Sequence, residues 1–179
     1  MEGAAPRAGA QPVNWPHQND APAFYGRNQR IVRGVPGPDP AWERQNLVLV
    51  PIPWRAVASW DPSQRIKALR VHRLCADSLG RILAGVNVAF GQCQKEIEVA
   101  GMHLVGGGYI WRAMRGGTRL SLHSYGAATD FDPARNGLGN PTPAMDMRVV
   151  AAFEAEGWTW GGRWSPRSRD GMHFQAADV

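Results

Sequence analysis

Ile66, Leu69, Ala76, Leu79, Leu83 and Val86, with Arg73 in step, recur at three- and four-residue intervals and form the longest periodic pattern in the chain. That spacing is the period of an α-helix. Asp61 followed by Pro62 offers an N-cap and a suitable first helical residue, so a helix is expected over 61–85, closing at Gly85. A second, shorter helix opens at Thr142-Pro143, carries Met145, Val149, Val150 and Phe153, and stops before Gly157. Everything else is short. Residues 47–52, closed by Pro51 and Pro53, read as a strand, as do 109–112, 119–122, 127–132, 158–160 and 172–176. Helices and strands are segregated along the chain instead of alternating. This predicts an α+β fold in which a small antiparallel sheet packs with helices.

Residues 1–45 are rich in Pro, Gly, Ala, Asn and Gln without a sustained period, and Pro36-Gly37-Pro38-Asp39-Pro40 rules out regular helix or central strand there. Trp15, Phe24, Tyr25 and Trp42 suggest an irregular arm that packs on a body formed by 46–179. With 179 residues, the chain can bury a full core without metal or disulfide staples. No run approaches the roughly 20 apolar residues of a membrane span, and the start, Met1 to Pro6, lacks the basic-then-apolar order of a secretory signal. No membrane insertion is expected, and the chain reads as a monomer. The net charge of +5 favours anionic partners, among them nucleic acid, acidic lipid and wall polymers. No nucleic-acid motif accompanies that charge, so a nucleic-acid partner is not expected. Cys75 and Cys93 are too few for a four-ligand zinc knuckle and are read as thiols, with a disulfide between them left open.

The chemistry concentrates late in the chain. Within Arg119-Leu120-Ser121-Leu122-His123-Ser124-Tyr125-Gly126-Ala127-Ala128-Thr129-Asp130-Phe131-Asp132, and then Asp170-Gly171-Met172-His173-Phe174, two histidines and a carboxylate stand out: His123, Asp130 and His173. Such a set suits a hydrolytic zinc centre, in which three protein ligands hold the ion and a fourth position takes water or substrate. Asp170, three residues before His173, is placed to act as a base without being a ligand. Gly126, Ala127 and Ala128 permit a tight turn between His123 and Asp130. Asp132-Pro133 is the turn candidate that follows.

The segments SLHSYGAATDFDP, WTWGGRW and DGMHF together resemble the zinc peptidase family of D-Ala-D-Ala carboxypeptidases and L-Ala-D-Glu endopeptidases, and are closest to the endopeptidase branch of phage lysins. The shared pattern is Ser-x-His-x-x-Gly-x-Ala-x-Asp, here Ser121, His123, Gly126, Ala128 and Asp130, followed by Asp170 and His173. The resemblance covers about residues 60–177 and makes 46–179 the catalytic domain, with the fold shared by Hedgehog-like and D-Ala-D-Ala peptidases. It implies one Zn²⁺ per chain on His123, Asp130 and His173, with Asp170 as catalytic base. It also implies an Arg that steadies the substrate carbonyl, a place matched by Arg112 with Arg115 and Arg119 as competitors. Ser121, Tyr125 and Trp164 are expected in the substrate groove. The carboxypeptidase branch generally has Glu where this chain has Asp170, which favours the endopeptidase. The implied partner is bacterial peptidoglycan. The implied setting is a phage or prophage endolysin held in the host cytoplasm before lysis, or a virion-associated lysin.

Other readings compete. His72, His103 and His17 are read as structural. Trp158 and Trp160 are open between groove and core, and Gly106-Gly107-Gly108 lacks the ending of a phosphate loop and reads as a loop or bulge. Ser121, His123 and Asp130 imitate a serine triad without the Gly-x-Ser-x-Gly elbow. A D-Ala-D-Ala carboxypeptidase or dipeptidase, or a non-catalytic wall-binding or virion protein on the same scaffold, are the alternatives.

Overall fold

The computed structural model describes residues 14–179, so the reading of Met1 to Pro6 lies outside the described residues. The first elements are α1 (Ala21–Phe24), the exposed hairpin of β1 (Gln29–Val32) and β2 (Val35–Pro38), and α2 (Pro40–Asn46). Within the segment expected to be an irregular arm, these short elements alternate with turns. Pro36 and Pro38 are tolerated because β2 is one edge of an isolated two-stranded ribbon, where a missing N–H costs little. Asp39 caps α2 by accepting from the Ala41 amide at 2.9 Å, with Pro40 in first position. Trp15, Ala21, Tyr25 and Trp42 belong to the same buried core as the rest of the chain. The Trp15 indole N–H donates to the Glu156 carbonyl and that of Trp42 to the Tyr25 carbonyl, both at 3.0 Å.

A six-stranded sheet in the order β4-β3-β5-β6-β8-β7 carries the body. Its long pair is β3 (Leu47–Ala58) and β4 (Asp61–His72), antiparallel from Leu47 opposite His72 to Ala58 opposite Asp61. Two expectations fail here. Residues 61–72 are strand, and the helix α3 (Arg73–Ala89) begins only after them. Asp61 instead turns the hairpin, its Oδ1 accepting from the Ser63 amide at 3.0 Å and the Ser63 hydroxyl at 2.6 Å. A short polar side chain that caps a helix makes an Asx turn by the same bond.

Nor do Pro51 and Pro53 close the first strand. Both lie on its exposed face while Val50, Ile52, Trp54 and Ala56 alternate into the core. The ladder slips between Pro51 and Ala56, where five steps along β3 oppose two along β4, so Pro53 falls outside the paired registers. Gln94 of α4 (Gln94–Val99) repairs the slip by binding both the Arg55 amide and carbonyl at 2.9 Å.

The sheet continues with β5 (Leu104–Gly107), parallel to β3, then β6 (Ala128–Phe131), β8 (His173–Gln175) and β7 (Thr159–Trp160), antiparallel in turn. The fold is therefore α+β as expected, with a larger and mixed sheet. Residues 109–112 and 119–122 are not strands, and only Ala113 and Leu120 bridge. Asp132 (φ 49°) opens the short α5 (Pro133–Asn136). The second expected helix is α6 (Met147–Ala155), starting four residues past Pro143 because Asp146 accepts from the Arg148 amide and caps it. Phe153 stacks on Phe174 of β8 at 4.0 Å, and Trp158 donates to the Ser78 hydroxyl of α3 at 2.9 Å. Trp158 and Trp160 are core residues.

His72 caps α3. Its Nδ1 accepts from the Leu74 amide and its Nε2 lies 3.1 Å from the Tyr25 carbonyl, the pattern of a neutral ring with the proton on Nε2. Burial pushes its pKa from 6.5 down to about 4. The unfolded chain therefore takes up this proton near pH 6.5 and the folded one only near pH 4, so stability falls as pH drops between them. The expected loss is on the order of 3 kcal/mol. Unfolding free energies from urea titrations at pH 7 and pH 4 should differ by that much less in His72→Asn, which keeps a cap but not the titration.

Candidate metal centre

Ser121 and Gly126 frame a single 3-10 turn, Leu122–Tyr125. The Ser121 hydroxyl accepts from the His123 amide at 3.4 Å, and Gly126 ends the turn at φ 65°. A Cβ at Gly126 would stand 2.7 Å from the His72 nitrogen and from Leu47 Cδ2, so only glycine fits. The Ser-x-His-x-x-Gly spacing is thus a capped turn that aims His123 inward. It also removes the serine-triad reading, because Ser121 is bonded to the His123 backbone and not to its ring.

Asp130 and His173 are direct cross-strand partners on β6 and β8. Gly107 of β5 is opposite Asp130 on the other side, and a Cβ there would press within 3.1 Å of Asp130 Oδ2. The glycine run, read from sequence as a loop or bulge, is the end of a strand with a register slip between Val105 and Gly107. Its absent side chains make room for the carboxylate.

The three groups meet. His123 Nε2 lies 3.2 Å from His173 Nδ1 and 3.2 Å from Asp130 Oδ2, and His173 Nδ1 lies 2.9 Å from Asp130 Oδ1. The opposite ring nitrogens are committed as donors. His123 Nδ1 is 2.8 Å from the Gly108 carbonyl, which can only accept. His173 Nε2 is 3.1 Å from Gln175 Oε1, an amide oriented by its own N–H donation to the Ala177 carbonyl. In these neutral tautomers the facing atoms are two imidazole lone pairs and a carboxylate, three acceptors with no proton between them. A cation reconciles them. With bonds of about 2.0–2.1 Å, a tetrahedral zinc site has ligand–ligand edges of roughly 3.3–3.4 Å, close to the separations found. The donor set fits zinc, and the Gly108 carbonyl and Gln175 are the outer partners that orient the rings.

A proton is the alternative occupant. Burial alone raises the Asp130 pKa, but its bonds to His123 and His173 outweigh this and hold it far below the usual carboxylate range. Burial disfavours a charged His173, yet the adjacent Asp130 raises its pKa above 6.5 on balance. Proton and metal therefore compete for His173 Nδ1, and acid should release the metal.

Asp170 lies on the loop after the 3-10 turn Gly161–Arg163. Its amide donates to the Gly161 carbonyl at 3.0 Å and its carbonyl accepts from the His173 amide at 3.2 Å. A Cβ at Gly161 would sit 2.5 Å from the Asp170 oxygen, which explains the glycine in WTWGGRW. Its Oδ1 is buried without a hydrogen-bond partner among the described residues. Burial raises its pKa, opposed by the charge of His173 and reinforced by that of Asp130. An ionisable carboxyl with raised proton affinity beside a metal triad is suited to proton transfer.

Asp170 and His173 line a groove of about 730 Å³ together with Arg112, Arg115, Ser121 and Trp164. The Trp164 ring is 5.5 Å from that of His173. Ser124 fastens the Arg112 backbone, accepting from its amide at 2.9 Å and donating to its carbonyl at 2.7 Å. Two expected site residues lie elsewhere. Tyr125 is buried against Tyr25 and Trp42, and both Tyr125 and Arg119 line a neighbouring cavity. Cys75 is buried and Cys93 exposed, both as free thiols. Sequence reasoning missed Gly107, Gly108 and Gln175. Only Gln175 had a readable sign, two residues from His173 on the same strand face.

Residues 115–176 match a family model described as D-alanyl-D-alanine carboxypeptidase. The matched stretch contains His123, Asp130, Asp170 and His173 and supports a peptidase of that zinc-dependent family. No curated protein and no solved structure matched the chain. Among the described residues no helix is long and apolar enough to cross a membrane.

Proposed function

We propose that this chain is a zinc metallopeptidase that hydrolyses an amide of peptidoglycan stem peptides, at the bond between L-Ala and D-Glu. The observation that carries the reading is the convergence of three lone-pair donors next to an unpartnered buried carboxylate in an open groove. His123, Asp130 and His173 would hold a zinc ion, which would supply Lewis acidity at the reacting carbonyl and water. Asp170 takes the proton from the attacking water and hands it to the leaving amine. Arg112, with Arg115 as its neighbour in the groove, meets the negative charge that grows on the carbonyl oxygen. Trp164 gives the peptide a rigid flat contact.

Asp instead of Glu as base favours the endopeptidase. The description of the matching family favours a second reading, removal of terminal D-Ala. The setting that fits the endopeptidase is a phage lysin, its net charge of +5 aiding retention on an anionic wall. Mass spectrometry of digested peptidoglycan separates the readings. New D-Glu amino termini support the endopeptidase, released D-Ala supports the carboxypeptidase, and an uncut wall with tightly bound protein contradicts both.

A further inference from the structure

The cavity that holds Tyr125 and Arg119 has a volume of about 440 Å³ and is roofed by the N-terminal segment through Asn19, Arg27 and Asn28. It borders the metal groove, since Gln18 and Met114 line both. Two features mark it as built for a ligand. Asn28 is 1% exposed, and its amide N–H donates to the Ser124 carbonyl, one residue from His123. That bond fixes the amide orientation and leaves Asn28 Oδ1 buried with no donor among the described residues. A buried acceptor left unmet is costly, and Asn28 is itself one of the residues that line this cavity. The second feature is charge. Arg27 and Arg119 line the same cavity, and neither is in an ion pair among the described residues.

We propose that this cavity is a second substrate subsite, which takes a peptide carboxylate on Arg27 and Arg119 and the adjacent amide N–H on Asn28. It rests on the reading of the metal groove as a peptide-cleaving site, and adds that the substrate is an acidic peptide gripped beyond the reacting bond. The N-terminal segment is thereby a part of substrate recognition, and Arg119 a binding residue and not an oxyanion partner. Guanidinium–carboxylate pairs are strong and geometrically selective, so the subsite distinguishes a carboxylate from its neutral amide.

The test is binding, read without turnover. The full chain carrying Asp170→Asn is titrated by calorimetry with L-alanyl-γ-D-glutamyl-L-lysine and with the same peptide bearing an α-carboxamide on the glutamyl residue. The carboxylate form is expected to bind roughly tenfold more tightly. Arg27→Ala with Arg119→Ala should erase that preference, while the Asn28 side-chain amide resonances shift on binding to the parent protein. Equal affinity for the two peptides, or a preference that survives the double substitution, overturns the subsite. Wall digestion by protein with Asp170 intact is scored separately. A selective binder that never cuts sinks the peptidase reading alone, and a competent peptidase indifferent to the carboxylate sinks the subsite alone.

Discussion

His123→Ala is expected to abolish stoichiometric zinc binding and lower hydrolysis of peptidoglycan by on the order of 10³-fold or more, since Lewis-acid activation is worth several kcal/mol and each 1.4 kcal/mol is tenfold. The imidazole contributes one of three close donors, 3.2 Å from each of the others. Its loss leaves His173 and Asp130 a buried pair that a proton satisfies as well as a metal. Chelation of the parent protein should have the same kinetic effect and be reversed by added zinc. A cation that binds only the folded chain at about 1,000 times its Kd stabilises by about 4 kcal/mol. Melting curves should therefore rise with zinc in the parent and stay flat in His123→Ala. The pH sign follows from His173, whose proton affinity is raised by Asp130. Protons compete with zinc for that ring, so zinc affinity is expected to weaken as pH falls.

Asp170→Asn is the second large effect. The substitution keeps shape and removes proton affinity, so kcat should fall by about 10²–10⁴-fold with zinc content unchanged. Because burial raises the Asp170 pKa above 3.8, the carboxylate is deprotonated, and active, only above that raised value. An acid limb of kcat that reports protonation of this carboxylate should vanish from the residual activity of the variant. Unchanged kcat in Asp170→Asn removes this residue from proton transfer. Loss of zinc in that variant makes it a ligand instead.

The parts of the site that were legible in the sequence are those governed by local chemistry. Ser121 and Gly126 announce a capped turn, and the alternating positions of β6 and β8 put Asp130 and His173 where strands bring residues face to face. What stayed hidden depends on partners far along the chain. The Asp61-Pro62 pair is equally good at starting a helix and at turning a hairpin, and only the presence of β3 beside 61–72 decides. Pro51 and Pro53 stop a regular strand but not one whose ladder slips there and is mended by Gln94. Gly106-Gly107-Gly108 carries no side chain to read, yet its backbone both makes room for Asp130 and accepts a hydrogen bond from His123 Nδ1. Tyr125 falls inside the motif and still faces away from the metal groove, because a 3-10 turn sends successive side chains to different sides.

Zinc K-edge absorption of the zinc-loaded protein tests the convergence of these donors most directly. Two imidazole nitrogens at about 2.0–2.1 Å with carboxylate oxygen at a similar distance are expected, at one zinc per chain, with one imidazole lost in His173→Ala. A spectrum without imidazole scattering, or one unchanged by that substitution, would contradict a metal centre at His123, Asp130 and His173.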